Sequence, residues 1–252
     1  MKIQLIRNAT LKINYAGKTI LLDPMLCKKE TMPPFMKGLK KNPTVDLTLS
    51  VDEIIKDVDA VLVTHSHPDH FDSVASKVLP KTIPLFATPT DKKFFAKQNY
   101  NNITTVENET LWEGIKITRI EGQHGSGTIL PYMGAVSGYV LQANNEPTIY
   151  IISDTILIDS VMNTIANFKP EIIITNSGNG IFPGHETFPV IMDEKQTIEV
   201  AKLAPNATLI AVHLESIDFN IATRKSLREF SNKNGVSKEQ LLIPNDGEEI
   251  KF

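Results

Sequence analysis

Apolar and polar residues alternate from the second residue onward, and this predicts short strands over 2–7, 10–15 and 18–23, with Ala16-Gly17 turning the last two into a hairpin. Asp23-Pro24 ends the third strand. From 24 to 50 the alternation is lost, and Pro24, Pro33, Pro34, Gly38 and Pro43 make this stretch a long irregular excursion of the kind that often forms a lid or binding loop. A continuous apolar run, DAVLVT at 59–64, reads as a buried strand. In DSVASKVLP, Asp72 is placed to cap a helix and Pro80 to stop it, and in TPTDKKFFAKQ, Thr88 is the cap with Pro89 at the first helical position. Strands are expected near 103–106, 110–121 and 137–142. The second half alternates strand and helix: TIYIISDT, a helix over about 157–167, EIIITN, a Gly/Pro-rich loop at 177–189, a helix opened by an Asp193/Gln196 capping box, then ATLIAVH. A helix around 222–233 and a short strand close the chain. No linker, low-complexity tract or repeat interrupts the pattern, so the expectation is one α/β domain over 1–252 with helices covering sheets.

Composition narrows the function classes. The chain has 252 residues, of which 41% are hydrophobic, enough for a sizeable core, and its formal charge of −3 implies no global attraction to nucleic acid or anionic lipid. No basic stripe interleaved with aromatics stands out, and no apolar run approaches the ~18 residues of a membrane span. Lys2 and Arg7 break up the apolar residues of the N-terminal stretch, which leaves no signal-peptide core. Cys27 is the only cysteine, which suits a reducing compartment, and the expected location is cytoplasmic. The expected partners are a small-molecule substrate and, in a homo-oligomer, further copies of the chain; neither nucleic acid nor membrane is expected.

The chemistry concentrates in VLVTHSHPDHFD, residues 61–72, where an apolar strand runs straight into three of the six histidines. His65, His67, Asp69 and His70 form H-x-H-x-D-H. In an extended or turning loop His65 and His67 can point one way while Asp69 and His70 face a neighbouring point, so one loop supplies ligands for two metals. Three further potential ligands sit at or just after apolar strands, where the rim of a sheet would gather them: His124 in RIEGQHGSG, Asp154 after TIYIIS and His213 at the end of ATLIAVH. Asn176 ends EIIITN in a similar position but reads as a turn residue, and His185 in FPGHETFP falls outside the pattern and takes no role.

From the opening hairpin through His213 the chain resembles the metallo-β-lactamase superfamily. The resemblance implies an αββα four-layer sandwich with a dinuclear metal site at one edge. It makes His65, His67 and His124 ligands of the first metal, Asp69, His70 and His213 ligands of the second, and Asp154 the bridge. The ILLDP segment and the Ser153-Asp154-Thr155 context look most similar to the L-ascorbate-6-phosphate lactonase-like group. Two divalent ions are implied, zinc first, with manganese or iron as alternatives. The implied activity is hydrolysis of an ester, lactone or phosphoester by a metal-bridging hydroxide, which Asp69 would orient as the catalytic carboxylate. A metal-binding sensor without turnover, or a phosphodiesterase or nuclease on the same fold, are the alternatives. The di-iron flavoprotein branch resembles H-x-E-x-D-H instead, and here His67 stands in the glutamate's place.

The 24–50 excursion carries Lys28, Lys29, Lys37, Lys40 and Lys41 against Glu30 and Asp46, opposite in sign to the whole chain. With Met25, Met32, Phe35 and Met36 as apolar atoms, the expectation is a lid that favours an anionic substrate.

Overall fold

The computed structural model describes residues 1–252. Strands β1 (Lys2–Arg7), β2 (Thr10–Tyr15) and β3 (Lys18–Leu22) form an antiparallel meander, and β4 (Ala60–Val63), β5 (Leu85–Ala87) and β6 (Ile103–Thr105) extend it in parallel. A second sheet is built from β7 (Glu109–Trp112), β8 (Ile115–Glu121), β9 (Ser137–Gln142), β10 (Ile149–Ile151), β11 (Ile172–Asn176), β12 (Thr208–Val212) and β13 (Leu241–Leu242). The last strand, β14 (Glu249–Lys251), returns to the first sheet beside β1. Helices α1 (Val51–Ile55), α2 (Ser73–Val78), α3 (Lys92–Lys97), α4 (Leu130–Met133), α5 (Asp159–Phe168), α6 (Glu194–Leu203) and α7 (Arg224–Lys233) complete the chain. None is long and apolar enough to cross a membrane.

Period-two alternation decides which layer each side chain enters. Ile20 and Leu22 of β3 face the second sheet and pack with Tyr139, Ile151 and Ile174 in the central core. Leu21, between them, points outward with Val61 and Val63 against Ile54, Ala75 and Phe95 of the helices α1 to α3. Across the molecule Tyr150 and Ile173 do the same against Val161 of α5, Ile198 of α6 and Leu227 of α7. The layering is thus αββα.

Local signals were mostly met. Ala16 and Gly17 both have positive φ (50° and 74°), as a two-residue hairpin turn matching strand twist requires. Asp72 accepts from the amides of Val74 and Ala75 and caps α2. Three expectations need correction. The strand expected over 110–121 is two strands, because Glu113 and Gly114 (φ 50° and 82°) form another hairpin turn. Thr88 accepts from Ser137 Oγ and makes no capping bond, so Pro89–Asp91 starts as a 3-10 turn. Gln196 receives the amide of Leu157 instead of closing a box with Asp193. Residues 24–50 contain no helix or named strand, only an isolated bridge between Met32 and Asn42.

The carboxyl ends of the parallel strands β4, β10 and β12 lie at one edge of the sandwich. Backbone bonds from Ser137 to Thr64 and from His213 to Asn8 stitch the two sheets together there. Parallel strand ends are where irregular loops can gather functional groups on a rigid base.

Candidate metal centre

All seven residues singled out from the sequence converge at this edge. His65, His67, Asp69 and His70 follow β4; His124 follows β8, Asp154 follows β10 and His213 follows β12 directly. They fall into two clusters, His65, His67 and His124 in one and Asp69, His70, Asp154 and His213 in the other, with the facing atoms of each cluster within 4.8 Å of one another. Asp154 lies between them: its Oδ2 is 3.4 Å from His124 Nε2, 3.8 Å from His65 Nε2 and 3.1 Å from His70 Nε2, while Oδ1 is 3.6 Å from His213 Nε2. Asp69 Oδ2 is 3.2 Å from His213 Nε2. Ser153 and His213 hold positive φ (67° and 61°), a backbone cost that persists where surrounding structure enforces it.

Hydrogen bonds behind the rings fix which nitrogen carries the proton. His124 Nδ1–H donates to Val190 O at 2.8 Å, and a carbonyl can only accept. His70 Nδ1–H donates to Asp23 Oδ2 at 2.8 Å. The Thr64 hydroxyl gives its own proton to Asp23 Oδ2, so it accepts from His65 Nδ1–H. The Nε2 lone pairs of His65, His70 and His124 therefore face inward, toward each other and toward two carboxylates. A shell of converging acceptors repels itself unless a cation occupies its centre, and imidazole nitrogen with carboxylate oxygen is the donor set that divalent transition metals take. The residues fit two such ions.

The electrostatics point the same way. Burial holds the imidazoles of His65 and His124 below their ordinary range, His65 well below and His124 at about 4. Burial also opposes charge on His70, yet Asp154, Asp23 and Asp69 together push it well above that range. Burial likewise opposes ionisation of Asp154, but His213 and His70 hold its carboxyl well below the usual value. The carboxylates draw positive charge to this spot.

Two supporting residues escaped sequence reasoning. Asp23, taken as a strand end, is buried and accepts from the Thr64 amide (2.8 Å), the Thr64 hydroxyl (2.7 Å) and His70. Asn176, read as a turn residue, donates from Nδ2 to Asp154 Oδ1 at 2.5 Å. Both end apolar strands aimed at the same edge as the histidines, and that shared placement was the available signal.

Four of the seven residues, His67, Asp69, His124 and Asp154, line a cavity of about 470 Å³. Its walls include Phe35, Met36, Phe182 and Phe219, and His185 is at its side. The excursion contributes Phe35 and Met36 to the wall of this cavity. Its five lysines are exposed, and neither lysine nor arginine lines the cavity, so the electrostatic half of that expectation is not met.

Comparison with known proteins agrees with this geometry. The beta-lactamase superfamily domain matches residues 18–214. A UPF0173 protein of Bacillus subtilis, YddR, is 38% identical over the full length of both chains, and a UPF0173 metal-dependent hydrolase of Azorhizobium caulinodans is 26% identical over 74% of this chain and 77% of its own. Among solved structures, a possible metal-dependent hydrolase from Veillonella parvula superposes with a TM-score of 0.95 at 32% identity, covering 100% of this chain and 99% of the other. The isothiocyanate hydrolase from Delia radicum gut bacteria superposes at 0.92 with 36% identity and the same coverage. The chain belongs to the metallo-β-lactamase superfamily and, within it, to the UPF0173 family of metal-dependent hydrolases.

Proposed function

We propose that this hydrolase holds two divalent ions and cleaves a small, uncharged, apolar substrate at an electrophilic carbon, with organic isothiocyanates as the substrate class. The observation that carries the reading is the cavity: candidate ligand residues along one part of it, aromatic and thioether walls, and neither lysine nor arginine to meet a substrate anion. A phosphoester would have only the two ions to meet its charge, and any charged oxygen turned to these apolar walls would be buried without a partner, which is costly. Esters and lactones, including those of the ascorbate-6-phosphate lactonase-like group, ask for the same chemistry at carbon. The 36% identical isothiocyanate hydrolase favours the heterocumulene among them.

In this reading His65, His67 and His124 hold one ion and Asp69, His70 and His213 the other, with Asp154 between. When bound, the two ions supply an acidified water and polarisation of the substrate. Asp69, whose carboxylate lines the cavity, orients that water. Asn176 fixes the rotamer of Asp154, and Asp23, Thr64 and the Val190 carbonyl keep the inward-facing nitrogens deprotonated. Phe35, Met36, Phe182 and Phe219 exclude bulk water and hold an apolar substituent.

The test is turnover by zinc- and manganese-loaded protein of benzyl isothiocyanate, phenyl acetate, γ-butyrolactone and bis(4-nitrophenyl) phosphate. Release of benzylamine and carbonyl sulfide with the highest kcat/KM is expected. Preference for the phosphodiester would overturn the reading.

A further inference from the structure

We infer that His185 is the proton donor to the nitrogen of the substrate, a catalytic role outside the metal ligands; the inference rests on the isothiocyanate reading above. Of the cavity-lining groups beyond the seven ligand residues, two carry an exchangeable proton, Tyr132 and His185. Tyr132 is 75% exposed, and a phenol gives up its proton far less readily than an imidazolium. His185 is half-buried at the cavity side. An imidazole is the side chain best suited to exchange a proton near neutrality.

Its ring is also held. Nδ1 lies 2.9 Å from Thr128 Oγ1, and with Nδ1–H donating to that hydroxyl, Nε2 is the one position left for exchange with a substrate. The His185 amide donates to Phe182 O and the Phe188 amide donates to His185 O, both at 2.9 Å, so the loop is fixed on either side of the imidazole. Phe182 itself packs on Phe219 with ring centroids 4.7 Å apart. The stretch that carries Thr128 interlocks with this loop: a Cβ on Gly127, which has φ +59°, would run into the Phe188 ring. The same cavity is lined by His67, Asp69, His124 and Asp154, and Glu186 on the loop of His185 turns its carboxylate to the Gly184 amide.

The step balances as follows. Water adds to the central carbon of R–N=C=S; the new C–O bond forms as the C=N π pair moves to nitrogen, and the water's proton leaves to solvent. His185 Nε2–H supplies the proton taken up by nitrogen and is reprotonated from solvent through the cavity mouth. The resulting thiocarbamic acid, R–NH–C(=S)–OH, passes its acid proton to nitrogen as the C–N bond breaks with its electron pair going to nitrogen, giving R–NH₂ and carbonyl sulfide, so that R–NCS and water are consumed with no net change in protons. A donor matters most when the nitrogen is basic. An electron-withdrawing aryl group carries the negative charge without help.

The experiment compares benzyl isothiocyanate with 4-nitrophenyl isothiocyanate on zinc-loaded wild type, His185→Gln, His185→Ala and Thr128→Val, with metal content measured for each. For His185→Gln, kcat is expected to fall about 100-fold or more on the benzyl substrate and less than about 5-fold on the nitrophenyl one, at unchanged metal content. Added imidazole should restore part of the His185→Ala loss on the benzyl substrate alone, and Thr128→Val should show the same substrate bias more weakly. Equal losses on both substrates, or none on either, in variants that keep their metal would overturn the donor role while leaving the functional reading in place. A metal-loaded wild type that cleaves neither substrate would overturn both.

Discussion

Replacing Asp23 by asparagine should weaken one metal position selectively, although Asp23 is not itself among the candidate ligands and acts through His70. Its Oδ1 accepts from the Thr64 amide, and its Oδ2 accepts from both the Thr64 hydroxyl and His70 Nδ1. An amide cannot satisfy all three. If its oxygen sits where Oδ2 was, its NH₂ confronts the Thr64 backbone N–H, and two buried donors face each other at a cost of about 1–3 kcal/mol. If its oxygen sits where Oδ1 was, the NH₂ faces His70 Nδ1, and the imidazole relieves the conflict by moving its proton to Nε2. The backbone amide cannot adapt and the histidine can, so the second arrangement wins. His70 then presents N–H where an ion needs a lone pair. Loss of a ligand-orienting partner typically lowers metal affinity about 10–100-fold, equivalent to about 1.4–2.7 kcal/mol. Competitive zinc titration against a chelator should show one equivalent close to wild type and the other weaker by that factor. Thr64 also touches His65, so a shift of a few-fold at the first equivalent is compatible. Wild-type affinity at both equivalents, or equal weakening of both, would refute the reasoning.

Asp154→Ala should cost occupancy at both positions as well as turnover, because its two oxygens face both clusters and two cations at close range repel; elemental analysis reads this directly. Asn176→Ala frees Asp154 Oδ1 from its one side-chain donor and should reduce affinity for the second ion about 10-fold in the same chelator assay, with thermal stability of the loaded protein falling alongside. Phe35→Ala should raise KM for benzyl isothiocyanate about 10-fold and that for methyl isothiocyanate much less, since only the larger substituent reaches the aromatic wall. Changing Lys28, Lys29, Lys37, Lys40 and Lys41 together to glutamine should leave kcat/KM for benzyl isothiocyanate within about twofold, because these side chains are exposed and none lines the cavity.

The convergence of the seven candidate residues was legible because each follows a strand: His65 to His70 after β4, His124 after β8, Asp154 after β10 and His213 after β12. Strand periodicity and metal chemistry together are enough to bring such residues to one rim. The layering was legible for the same reason, since Leu21 and its neighbours Ile20 and Leu22 must face opposite sides of their sheet. Asp23 and Asn176 were harder to see, because a polar residue at a strand end is equally a turn former, and only the three-dimensional partner distinguishes the two roles. The hairpin at Glu113-Gly114 was hidden inside a stretch whose flanking residues all favour strand. The lysines of the excursion misled for a physical reason. Net charge along a segment says nothing about which side faces the cavity, and here Phe35 and Met36 turn inward while the ammonium groups stay in water.

The most direct test is a zinc titration of metal-stripped protein that follows bound metal and benzyl isothiocyanate turnover together. Two ions gathered around Asp154 require turnover to be absent from the stripped chain and to reach its plateau at two equivalents per chain. A plateau at one equivalent, or hydrolysis by the stripped protein at the loaded rate, would contradict the two-metal mechanism.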